Sequence, residues 1–164
     1  MRKESRLCEE VEKAKKYVYR LLAHRGRTRK EVRERLRQKG FPGRVIEQVI
    51  KRFVELNYLD DRAFAFNWAD MKLSAKPCGR RLIESELRKK GVDDRVLKEV
   101  VEKVYAGKDE ASMARSVAKA RFKKAVSGDR RKERDRVYRL LLRRGFAPEV
   151  VNEVVEEAFR NEVC

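Results

Sequence analysis

Three glycines organise this chain. Gly40, Gly91 and Gly145 recur at spacings of 51 and 54, and each closes a basic run: Leu36-Arg-Gln-Lys-Gly40, Leu87-Arg-Lys-Lys-Gly91 and Leu141-Leu-Arg-Arg-Gly145. Self-similarity at a period of this size marks a repeat architecture. An apolar residue follows each glycine, namely Phe41, Val92 and Phe146. Counting onward, offset 5 holds Val45, Val96 and Val150, offset 6 holds Ile46, Leu97 and Val151, offset 9 holds Val49, Val100 and Val154, and offset 10 holds Ile50, Val101 and Val155. These offsets form one stripe of a helix. Counting back, offset 4 holds Leu36, Leu87 and Leu141, offset 8 holds Val32, Ile83 and Val137, and offset 23 holds the bulky aromatics Tyr17, Trp68 and Phe122. The unit is therefore helix, helix, glycine turn, helix. The glycine supplies the left-handed residue that ends the second helix.

The expected fold is all-α: three tandem three-helix repeats, about nine helices, over residues 1–57, 58–107 and 108–164. End signals agree with this reading. Thr28 and Glu31 have the spacing of a capping box, Pro148 suits a first helical position, and Pro42 and Pro77 fall in connectors. Asp60-Asp61 and Asp93-Asp94 each precede an apolar run, as helix-capping pairs do, with Asp61 expected to be the N-cap of the fourth helix. Small units of this kind gain stability from contacts with their neighbours as well as from their own cores. Three in series predict an elongated array, on the order of 60–80 Å long at 1.5 Å rise per helical residue.

The chain carries 44 Lys+Arg against 27 Asp+Glu, a formal charge of +17, yet Leu, Ile, Val and Phe make up about a quarter of it, enough to fold. Such an excess points to a polyanion or an acidic protein surface. The charge is uneven. Residues 1–57 hold 18 basic and 8 acidic side chains, residues 58–107 hold 11 and 9, and residues 108–164 hold 15 and 10. Arg29, Arg33 and Arg37 share one helical stripe, and Lys123, Lys124, Arg130, Arg131, Lys132, Arg134, Arg143 and Arg144 make a second basic region. Candidate contacts on charge grounds are Arg29, Arg33, Arg37, Arg80, Arg81, Lys124, Arg130, Arg131 and Arg134. The last helix reverses the sign with Glu149, Glu153, Glu156 and Glu157. Aromatic residues are only 8%, so an interleaved stacking platform is not the obvious device.

Nothing in the sequence points to catalysis. No Gly-rich phosphate cradle is present, Ser116 and Lys119 match a hydrolase spacing without its companion motifs, and His24 is the only histidine. Cys8, Cys78 and Cys164 form no C-x-x-C pair, so neither a zinc site nor a disulfide framework is expected, and no cofactor is implied. No run approaches the roughly 18 apolar residues of a membrane helix. A cytoplasmic location and no membrane partner are expected.

Asn57-Tyr-Leu-Asp-Asp-Arg-Ala-Phe64 and the segment from Gly79 to Val92 resemble the signature of the bacterial recombination regulator family RecX. The segment Arg27–Gly40 resembles that family's first unit, and Leu-Leu-Arg-Arg-Gly-Phe146 its third, so the likeness runs from about Ala14 to Phe159. Tyr58, Leu59, Asp60, Asp61, Phe64, Gly40, Gly91 and Gly145 match as structural positions, with Leu59 and Phe64 expected in the core. The resemblance implies a non-enzymatic modulator of homologous recombination and DNA repair. Such a protein lies in the groove of the RecA filament on single-stranded DNA, suppresses ATP hydrolysis and strand exchange, and limits filament growth. A monomer is expected, and direct DNA contact is open. Two other readings of the residues stand beside it: a helix-turn-helix DNA-binding module, and a helical-repeat adaptor for another acidic partner.

Overall fold

A computed structural model describes residues 2–122 and 130–160, with side chains from residue 6. The described residues form nine α-helices and no strand: α1 Arg2–His24, α2 Arg29–Gln38, α3 Gly43–Glu55, α4 Asp61–Ala75, α5 Arg80–Lys89, α6 Asp94–Val104, α7 Glu110–Phe122, α8 Arg130–Arg143 and α9 Pro148–Arg160. The all-α expectation holds, and each glycine falls at the end of a second helix. Gly40 and Gly145 have φ of 82° and 77°. Their N–H groups donate to Arg37 O and Leu142 O at 2.9 Å, and the N–H of the following phenylalanine reaches back to Leu36 O or Leu141 O. This is the double bond pattern that closes a helix through a left-handed residue. Asn57, with φ of 57°, ends α3 in the same way, and Tyr58 N–H donates to Phe53 O at 2.9 Å.

The chain divides into two compact units, and the division passes through the middle repeat. One unit runs to Ala65 and includes Arg88–Val96, while the other joins Phe66–Leu87 to the chain from Leu97 onward. In the first, α1, α2 and α3 bury Ala14, Val18, Val32, Leu36, Val45, Val49 and Phe53 around one core that Leu59 completes. In the second, α7, α8 and α9 repeat the arrangement with Ala114, Ala118, Val137, Leu141, Phe146, Val151 and Val154. The stripes read from the sequence are thus the buried ones. Within the middle repeat, Ile83, Leu87, Val92, Leu97, Val100 and Val101 are buried as well. The first helix of each repeat also buries an alanine, Ala14, Ala65 and Ala114, and in the first two repeats it stands 26 residues before the glycine.

The three glycines differ in what surrounds them. A Cβ on Gly40 would meet nothing within 4 Å, whereas on Gly145 it would stand 2.2 Å from the Leu82 backbone nitrogen, and on Gly91 2.5 Å from the Lys30 side chain. Gly79 is equally confined, since its Cβ would lie 2.2 Å from Gly145 O. The first site asks for glycine by conformation alone, and Gly145 by conformation and contact together. Gly40→Ala is expected to cost about 1–2 kcal/mol, the strain of a left-handed alanine, and Gly145→Ala more than about 3 kcal/mol, because a backbone cannot swing aside. Urea unfolding of the two variants checks this; equal losses would contradict it.

Candidate partner interface

The candidate contacts sit largely on the second helices, and local capping decides which of them remain exposed. At the head of α2, Thr28 Oγ1 accepts from Glu31 N–H at 3.2 Å while Glu31 Oε2 accepts from Thr28 N–H at 3.2 Å, the expected capping box. The hydroxyl also donates to Lys90 O at 2.6 Å, and Lys30 Nζ donates to Lys89 O at 3.0 Å. These bonds fasten the α5–α6 turn to the α1–α2 connector. Arg29, the first residue of α2, gives its N–H to Asp61 Oδ1 at 2.8 Å and its Nε to Asp61 Oδ2 at 3.1 Å. An otherwise orphan N–H at a positive helix end is matched by a carboxylate.

The second unit builds the same clamp from different residues. Arg80, first in α5, gives its N–H to Glu110 Oε1 and its Nε to Glu110 Oε2, both at 2.9 Å. Its guanidinium lies 5.3 Å from the Tyr105 ring centroid. Gly79 N–H donates to Arg144 O at 2.8 Å, and Arg144 Nη1 donates to Pro77 O at 3.0 Å. The Tyr105 hydroxyl donates to Cys78 O at 2.9 Å, and burial, then Cys78, pushes that phenol well above its ordinary range.

The acidic pair before α4 divides its labour otherwise than expected. Asp60 is the N-cap: its Oδ1 accepts from Arg62 N–H at 2.9 Å and Ala63 N–H at 3.0 Å. Asp61 is the first helical residue, buried, and its carboxylate serves Arg29. Of the other matched positions, Leu59 is in the core, Tyr58 is 54% exposed, and Phe64 is half-buried with Lys90 Nζ 5.5 Å from its ring centroid. Phe64 thus stands at the edge of the core and not within it.

Several candidate cations are already engaged. Arg33 forms a two-point bond with Glu47 at 2.8 and 2.9 Å, which draws the Glu47 carboxyl below its usual range. Arg130 donates to Phe159 O and lies over that ring. Arg37, Arg81, Arg131 and Arg134 are exposed and make no ion pair among the described residues. Lys124 lies outside the described residues, as do Lys123 and Cys164. On α9, Glu153 and Glu157 both meet Arg115, at 3.0 and 2.8 Å, so part of that helix's acidity is balanced locally. Among the described residues no group of three His, Cys, Asp or Glu side chains converges as a metal site would need, and no helix is long and apolar enough to cross a membrane. Cys8 is an exposed free thiol and Cys78 a buried one.

Comparison with known proteins gives three family models in chain order. The first, second and third three-helix domains of RecX match residues 14–53, 60–101 and 108–155. The regulatory protein RecX of Mycobacterium sp. (strain JLS) is 33% identical over 148 residues, covering 88% of this chain and 80% of that protein. The regulatory protein RecX of Geobacillus kaustophilus (strain HTA426) is 33% identical over 150 residues, 92% of this chain but 55% of that protein, so the chain spans about half its length. The crystal structure of RecX from Lactobacillus salivarius superposes with a TM-score of 0.75 at 21% identity, over 92% of this chain and 97% of that one, a likeness of fold.

Glu31 gives the first junction a pH signature. Burial pushes its carboxyl up, but the Thr28 N–H, Lys90 and Arg25 outweigh this, and the group titrates below its ordinary 4.5. A carboxyl depressed by folding adds stability that is complete above the unfolded value and is lost as pH falls through the folded one. Stability should therefore drop as pH falls below 4.5. Glu31→Gln should lose about 1 kcal/mol at neutral pH and show a shallower acid slope. Denaturation across pH checks this; an unchanged slope would contradict it.

Proposed function

The chain belongs to the RecX family, and from that premise we propose that it binds the RecA filament on single-stranded DNA and suppresses ATP hydrolysis, strand exchange and filament growth. It does so as a cytoplasmic monomer in recombination and DNA repair, without catalysing a reaction. The relatives it matches are named regulatory proteins.

The observation that carries this reading is the state of the second helices. On α2, α5 and α8 the exposed arginines Arg37, Arg81, Arg131 and Arg134 remain without ion pairs among the described residues, while Arg29 and Arg80 are spent on the clamps. Unpaired cations of a chain at +17 favour an acidic protein groove or phosphate. Inhibition then needs only tighter binding to one state of the filament than to the state that turns over. A basic second or third helix could read a groove, but as a third helix α9 carries Glu149, Glu153, Glu156 and Glu157.

The test is RecA ATPase on single-stranded DNA, titrated with this protein. Hydrolysis should fall well before one protein per RecA subunit. Reversing Arg81, Arg131 and Arg134 to glutamate should raise the half-inhibiting concentration by about tenfold or more, at about 1.4 kcal/mol per tenfold, without lowering the melting temperature. No inhibition at equimolar protein would contradict the proposal.

A further inference from the structure

One cavity of the first unit differs in its chemistry from three others among the described residues. It has a volume of about 310 Å³ and is lined by Lys13, Tyr17 and Arg20 of α1 with Lys39 and Phe41 of the α2–α3 turn. Every lining residue is a cation or an aromatic. Three other cavities each include a carboxylate: Asp60 and Asp61 beside Arg29, Asp70 beside Lys108, and Glu86 beside Arg144. We infer that this cavity is a nucleotide subsite for single-stranded DNA, in which Lys13, Arg20 and Lys39 take the phosphate and Tyr17 and Phe41 take the base.

The fit rests on three features. Lys13, Arg20 and Lys39 are all exposed, and among the described residues Arg20 Nε reaches the Lys16 carbonyl at 3.4 Å and no carboxylate, so the cationic groups stand open to an anion. Tyr17 and Phe41 are half-buried against the core beneath them, which fixes their rings at little entropic cost on binding. Lys39 Nζ lies 5.7 Å from the Tyr17 centroid, so charge and ring already share one place. The volume is near the lower end for small-ligand sites, about the size of one nucleotide. A duplex hides its base faces, and an acidic peptide has no use for two rings. A single strand offers both phosphate and base. Nearby, the Arg27 guanidinium titrates below its ordinary value, through burial first and then Arg25 and Arg35, with Glu31 and Tyr17 opposing them.

The subsite goes beyond the filament reading, because it requires no RecA. Its test is fluorescence anisotropy with this protein alone and three probes: a short oligothymidine, an abasic strand of equal length, and polyglutamate of equal charge. Oligothymidine should bind roughly tenfold tighter than the abasic strand. Tyr17→Leu should remove that difference, Tyr17→Phe should keep it, and the exposed variants Arg20→Gln and Lys39→Gln should each flatten the log affinity versus log salt slope by about 0.7. Equal binding of oligothymidine and abasic strand, or slopes unchanged in the two exposed variants, would overturn the inference. Polyglutamate binding as tightly as oligothymidine would overturn it in favour of an acidic peptide. Loss of ATPase inhibition with intact oligothymidine binding would fault the filament reading and leave the subsite standing.

Discussion

A carboxylate at the head of one repeat closes the first turn of the second helix in the repeat before it. Asp61 does this for Arg29, and Glu110 does it for Arg80, each through one backbone N–H and one guanidinium Nε. Charge-assisted bonds of this type are about twice as strong as neutral ones. They also fix direction, because an N–H and an Nε together admit one carboxylate orientation. In a chain at +17, where charges repel on average, two placed acids do more for register than their number suggests. The glycine turns complete each junction: Gly91 lets Lys30 lie against it, and Gly145 lets Gly79 and Leu82 approach backbone to backbone. Gly40, which lies in the first repeat, faces open space.

The third repeat shows what happens when the pattern is not continued. Counting back from the glycine, Arg134 stands where Arg29 and Arg80 stand, eleven residues before it. Yet among the described residues α8 already includes Arg130, so the Arg134 N–H lies inside the helix and needs no outside acceptor. Its side chain is exposed. The same sequence position is a clamp in two repeats and, among the described residues, a surface cation without an ion pair in the third.

Much of the fold was legible because it rests on local rules. The glycine period, the capping box at Thr28 and the stripe from Val45 to Ile50 need only neighbouring residues, and all appear as read. The clamps were not legible, because their partners lie 32 and 30 residues apart and shift phase between copies: the arginines are spaced by 51, the acids by 49. Asp61 looked like a cap for the same reason. Sequence shows that an acidic pair precedes α4, but the one-residue question of which acid caps is settled by what the other can reach, and Arg29 lies within reach of Asp61. The cationic cavity was hidden differently. Its five residues spread over 29 positions, with a low overall aromatic content, and converge only when the α2–α3 turn folds back beside α1.

Charge joins the repeats in this protein, and under the proposed function it also meets a partner. Backbone hydrogen exchange of the Arg29 and Arg80 amides tests the first role most directly, since first-turn amides are normally orphans that exchange fast. In the intact protein both should be protected, and Glu110→Ala should raise the Arg80 exchange rate by about tenfold or more while leaving the Arg29 amide and the core amides of α8 unchanged. Fast exchange at both amides before any substitution, or no response of Arg80 to the loss of Glu110, would contradict the clamp as the junction that orders the repeats.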